Sequence, residues 1–129
     1  MLDTNALLLM ALEDVAVAAG GLETFASGRR YISHVCAIEI AIKHSAGKLP
    51  LPPPFQTDFR HAFGEMVQEL GAHALPIELS HVAALAHLPL HHRDPFDRLI
   101  IAQALCEDLT VVTRDRAFAL YPGLNVHKI

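Results

Sequence analysis

Polar and apolar positions along the chain switch between two spacings, and the switching predicts the order of its elements. In DFRHAFGEMVQEL, residues 58 to 70, the apolar side chains Phe59, Ala62, Phe63, Met66, Val67 and Leu70 recur at steps of three and four. That spacing predicts an amphipathic helix with one buried stripe. LTVVT is short and β-branched instead, which predicts a strand. Further short strands are expected at RRYIS, at HALPI and, weakly, at NVHKI. Helices are expected at EDVAVAAGGL, ending near Gly20 and Gly21, and at residues 34 to 46, closed by Gly47. SHVAALAHL reads as a short helix capped by Ser80, and DPFDRLIIAQALCED as a longer one. ALLLMAL reads as a loop or short helix, and RAFALYPG as a helical turn stopped by proline and glycine. LPLPPP at 49 to 54 reads as a loop, because proline lacks the amide donor and clashes with a preceding turn.

Strand and helix signals alternate, which favours a layered α/β fold with a mainly parallel sheet. Sites in such sheets gather at the carboxyl ends of the strands. No internal repeat and no long linker divides the 129 residues, so one domain is expected. A hydrophobic content of 52% suits a folded chain. No apolar run approaches the roughly 18 residues that span a bilayer, and MLDTNALLLMALED lacks a basic leader, so the expected location is the cytoplasm, away from membranes. Cys36 and Cys106 lie in apolar, helix-like contexts without CxxC spacing and are expected to be buried, reduced thiols. The net charge of −4 argues against coating nucleic acid by bulk electrostatics, so any such role is local.

The acids sharpen this picture. Asp3 and Asp115 fall where strands are expected to end, although an acid there also suits a helix cap. In DPFDR, Asp94 suits the N-cap, Pro95 the first helical position, and Asp97 lies three residues after the cap. Glu39 interrupts the apolar run VCAIEIAI, with Val35, Cys36, Ile42 and Lys43 as its neighbours three and four residues away. A Glu39–Lys43 pair at the edge of the stripe is one explanation, worth only a few tenths of a kcal/mol. The other is a shared site. Three or four clustered carboxylates repel one another unless hard divalent cations neutralise them, and such ions also activate water and hold phosphate. His87, His91 and His92 lie near Asp94 but lack a defined zinc pattern.

The order LDTN, SHVCAIEIAIKHSAGKLPL, HHRDPFDRLIIAQA and LTVVTRDRAFALYPG resembles the PIN-domain family, and within it the VapC-type toxins of toxin–antitoxin pairs, over nearly the whole chain. The resemblance implies a three-layer α/β/α sandwich and one PIN-like nuclease domain over residues 1–129. It implies an endoribonuclease dependent on Mg2+ or Mn2+ whose acids match Asp3, Glu39, Asp97 and Asp115. Asp3 and Asp97 match the best metal ligands. Asp115 completes the pocket directly or through water, and Glu39 ligates or orients the attacking water. The implied reaction is phosphodiester hydrolysis leaving a 5′-phosphate and a 3′-hydroxyl. Thr113 and Asn5 are the supporting residues, each able to hydrogen-bond a neighbouring carboxylate or to form a turn. Arg93, Arg98, Arg114 and Arg116 flank the pocket in sequence and suit RNA phosphate. The implied partners are RNA, such as a transfer RNA, a VapB-like antitoxin and a second copy in a homodimer.

Two features depart from the family's pattern: only Met1 and Leu2 precede Asp3, which implies either a clipped central strand or a true start upstream, and Ile38 stands where related toxins often carry tryptophan. Two rival readings are a catalytically silent PIN-like scaffold that binds RNA or protein, and an aspartate-based phosphotransfer protein using Asp3. The second rival wants an Asp two residues on, where Asn5 stands.

Overall fold

The computed structural model describes residues 1–12 and 28–129. The helix expected over EDVAVAAGGL lies outside the described residues. Among those described, no helix is long and apolar enough to cross a membrane.

Among the described residues, all strand pairing is parallel. β1 (Tyr31–Ser33) pairs with β2 (His73–Leu75), and β3 (Val111–Thr113) pairs with β4 (Val126–Lys128). Leu2 bridges Ile32 on one side and Val112 on the other, giving the order β2, β1, Leu2, β3, β4. Leu2, Ile32 and Val111 are wholly buried, and each such side chain contributes about 1.5–3 kcal/mol by leaving water. Burial therefore holds in place a strand too short to hold itself by its ladder.

The helices are α1 (Thr4–Leu12), α2 (His34–Ser45), α3 (Pro53–Thr57), α4 (Phe59–Glu69), α5 (Leu79–Ala86) and α6 (Pro95–Cys106), with a 3-10 turn at Arg116–Leu120. α2 starts directly after β1, where Ser33 accepts the Val35 amide at its N-cap, and Gly47 at φ 71° turns the chain beyond its end. α4 buries Ala62, Phe63, Met66 and Val67, the stripe expected from its spacing, and Asp58 caps it. α6 is capped by Asp94, whose carboxylate accepts the Phe96 and Asp97 amides, with Pro95 in its first turn.

Three expectations are corrected. Pro53 and Pro54 open α3 rather than extending a loop, because first-turn amides have no helical acceptor and proline loses nothing there. Ser80 does not cap α5; Glu78 occupies that position, and its amide donates to His81 Nδ1 at 3.0 Å. Cys36 is buried, and burial pushes its thiol up to about 12, but Cys106 is exposed.

Candidate active site

The carboxyl ends of the central strands supply the site. Asp3 follows Leu2 and is 2% exposed. Its Oδ1 accepts the Ala6 amide at 2.7 Å, and its Oδ2 accepts the Thr113 hydroxyl. Burial raises its pKa, those two hydrogen bonds lower it, and the charges of Asp115 and Glu39 raise it again, leaving it above the ordinary value. Thr113 ends β3, and its Oγ1 also accepts the Asp115 amide at 2.9 Å, so one buried hydroxyl ties two acids together.

Asp115 starts the 3-10 turn by accepting the Ala117 amide at 2.8 Å, and its Oδ2 lies 2.8 Å from His92 Nε2. Burial opposes ionisation here, but the Ala117 amide and the His92 ring outweigh it and hold the carboxyl below its usual value. Asp97 sits in the first turn of α6 with Oδ2 3.2 Å from His92 Nε2. Burial pushes it up to about 7, helped by the charges of Asp94, Asp3 and Glu39 and opposed by His92.

Glu39 is on α2, 6% exposed. Its Oε1 pairs with Lys43 Nζ at 2.7 Å, so the helical ion pair exists. It leaves Oε2 buried and without a partner, a position that costs free energy unless something binds it. Glu39 also acts on Asp3 and Asp97 through its charge. A hard divalent cation fits these residues: the donors are carboxylate oxygens, two have raised pKa values, and one oxygen is orphaned.

The other expected residues divide. Asn5 is exposed on α1. Arg93, Arg114 and Arg116 are exposed, the last two flanking Asp115. Arg98 spends its guanidinium on the chain itself, donating to the Pro89, His92 and Leu88 carbonyls at 2.9, 3.4 and 3.3 Å. His92 is the residue that sequence reasoning left without a role. Its nearness to Asp94 is local, but its contact with Asp115 spans 23 residues and leaves no spacing signal.

Replacing Thr113 with valine keeps the shape and removes the shared hydroxyl, leaving the Asp115 amide and Asp3 Oδ2 without this partner. The expected cost is about 1–3 kcal/mol in urea unfolding, with Thr113→Ser close to wild type. An unchanged unfolding midpoint in the valine variant would remove Thr113 as the tether.

The PIN domain family profile matches residues 1–124. The chain belongs to the PIN-domain family. Among solved structures, this PIN domain is similar to VapBC2 from Rickettsia felis, determined bound to a DNA fragment from its promoter. The TM-score is 0.75 at 18% identity, covering 100% of this chain and 97% of that one. DNA-bound VapBC from Salmonella typhimurium gives a TM-score of 0.72 at 19% identity, covering 99% and 96%. At such identities the likeness carries the fold. No curated protein sequence matches at a significant level. The α/β fold with parallel strands is that of the PIN domain; Asp3 and Asp115 stand at strand ends, while Glu39 and Asp97 come from helices α2 and α6.

Proposed function

We propose that residues 1–129 act as one PIN nuclease domain, a metal-dependent endoribonuclease and the toxin of a toxin–antitoxin pair. The observation that carries this reading is the buried, unpartnered Glu39 Oε2, near Asp3 and Asp97, whose pKa values burial and neighbouring carboxylates raise. A self-repelling cluster is poor scaffolding, and a cation explains it. Asp3, Asp97, Asp115 and Glu39 would hold Mg2+ or Mn2+, which supplies charge neutralisation and water activation for phosphodiester hydrolysis. Thr113 keeps Asp3 and Asp115 in register, as its two hydrogen bonds allow. Arg114 and Arg116, exposed beside Asp115, offer charges for the RNA backbone. Arg98 serves better as a brace for the loop before α6, since its donors are already engaged.

The VapBC likeness supports a VapB-like antitoxin as partner, and the family suggests a homodimer, a transfer RNA target and a cytoplasmic setting. The test is incubation of the purified protein with total cellular RNA and Mg2+ or Mn2+, followed by sequencing of the cut ends. Discrete cuts lost in EDTA and in Asp97→Asn are expected. Intact RNA after incubation with folded, metal-bound protein would overturn the nuclease assignment.

A further inference from the structure

His92 is fastened from several directions at once. Its backbone amide donates to Tyr121 Oη at 2.9 Å, and its carbonyl accepts from Arg98 Nη1 at 3.4 Å. Because that guanidinium also holds the Leu88 and Pro89 carbonyls, it closes the loop onto the start of α6. The ring meets Phe118 edge-on, with centroids 5.7 Å apart and planes at 84°. Such restraint aims one particular atom.

The hydrogen bond at Nδ1 decides which chemistry that atom has. Nδ1 accepts the Asp94 backbone amide at 3.1 Å, and an amide N–H can only donate. The ring proton is thereby assigned to Nε2, the nitrogen that faces Asp115 Oδ2 at 2.8 Å and Asp97 Oδ2 at 3.2 Å. A protonated nitrogen has no lone pair for a cation. Ligation through Nε2 would move the proton to Nδ1, against the Asp94 N–H. His92, Asp97 and Asp115 present atoms within 4.8 Å of one another, as three ligands of one ion would, yet the hydrogen bonds give the imidazole a different part.

We propose that His92 is a positioning residue whose Nε2–H bridges Asp97 and Asp115 and fixes the spacing of their carboxylates for a divalent cation that it does not itself ligate. This rests on the metal-dependent reading above. The lone pairs that these hydrogen bonds leave on Asp97 and Asp115, with Asp3 and the unpartnered Glu39 Oε2, would be left to the ion. A carboxylate oriented by an outer donor binds metal better than one free to rotate away from a like charge. Arg98, Tyr121 and the Asp94 amide serve the site indirectly, by aiming His92.

The test compares Mn2+ binding by calorimetry in the wild-type chain, His92→Phe and His92→Gln, with pulsed electron paramagnetic resonance on the Mn2+-loaded wild type. Phenylalanine keeps a ring against Phe118 but has no donor, so Mn2+ affinity is expected to fall about 10–100-fold. Glutamine places an amide N–H near the Nε2 position and is expected to restore most of that loss. The wild-type spectrum is expected to lack the coupling of a directly bonded imidazole nitrogen. In RNA cleavage, the phenylalanine variant should need more Mn2+ for half-maximal rate while approaching the wild-type rate at saturation, and glutamine should recover the wild-type Mn2+ requirement, a rescue that general loosening of the fold does not produce. Unchanged or tighter Mn2+ binding by the phenylalanine variant, or a bonded nitrogen in the spectrum, would overturn the proposal. Wild-type protein that binds Mn2+ in this way but cuts no RNA would remove the nuclease reading alone. Wild-type protein that binds no Mn2+ would remove both.

Discussion

Asp97→Asn is expected to stabilise the metal-free protein at pH 8 and to slow RNA cleavage severely. Burial, with the charges of Asp94, Asp3 and Glu39, pushes Asp97 from the ordinary 3.8 up to about 7. An acid whose folded pKa lies above its unfolded value keeps a proton in the folded state that the unfolded chain has already released. Stability from this group is therefore complete below about pH 4 and is lost as pH rises toward 7. That rise corresponds to destabilisation on the order of 4 kcal/mol by pH 8 in the absence of metal, and an uncharged amide avoids most of it. Thermal unfolding in EDTA should show Asp97→Asn with the higher midpoint at pH 8 and with no advantage at pH 4. Mn2+ should raise the wild-type midpoint, since it binds only the folded chain, and should raise the variant's far less. Cleavage should fall roughly a thousandfold, from the several kcal/mol that a properly held metal contributes to the transition state. A variant less stable than wild type at pH 8, or one that still cuts RNA, would mean that Asp97 is not part of a strained acidic pocket.

Local chemistry was readable from the sequence wherever it was self-contained. The stripe of α4 and the Asp94–Pro95 start of α6 each lie within a few consecutive residues, and both elements form where expected. Expectations failed where a distant residue decided the outcome. Ser80 looked like the cap of α5, but His81 selects Glu78 instead, being itself fixed by Glu107, 26 residues away, and Gln103, 22 residues away. Arg98 looked free for phosphate, because nothing local shows that the loop carbonyls of Leu88 and Pro89 turn toward it. Asp3 and Asp115 stood out because strand ends are where such a sheet places its chemistry, and Glu39 because it interrupts an apolar run. What joins them did not, since the Thr113–Asp3 hydrogen bond spans 110 residues. Against the family's pattern the strand before Asp3 is short, and what the sequence does not show is that Leu2 has parallel neighbours on both sides, Ile32 and Val112.

Mn2+ affinity is expected to weaken about tenfold for each pH unit below 7 and to level off above pH 8, because the ion must displace the proton that Asp97 retains. Asp115 takes no part in this slope, since the Ala117 amide and His92 outweigh its burial and keep it ionised throughout the range. Asp3 adds to it. Its pKa is raised by burial and by Asp115 and Glu39, against the Thr113 and Ala6 hydrogen bonds, a shift in the same direction as that of Asp97. Calorimetry in two buffers of different ionisation enthalpy should count about one proton or more released per Mn2+ at pH 6, and less at pH 8. Affinity that stayed flat between pH 6 and 8, with no proton released, would place Asp97 outside the ligand set. The orphaned oxygen of Glu39 would then need another partner, and the nuclease reading would lose the residue on which its acidic pocket turns.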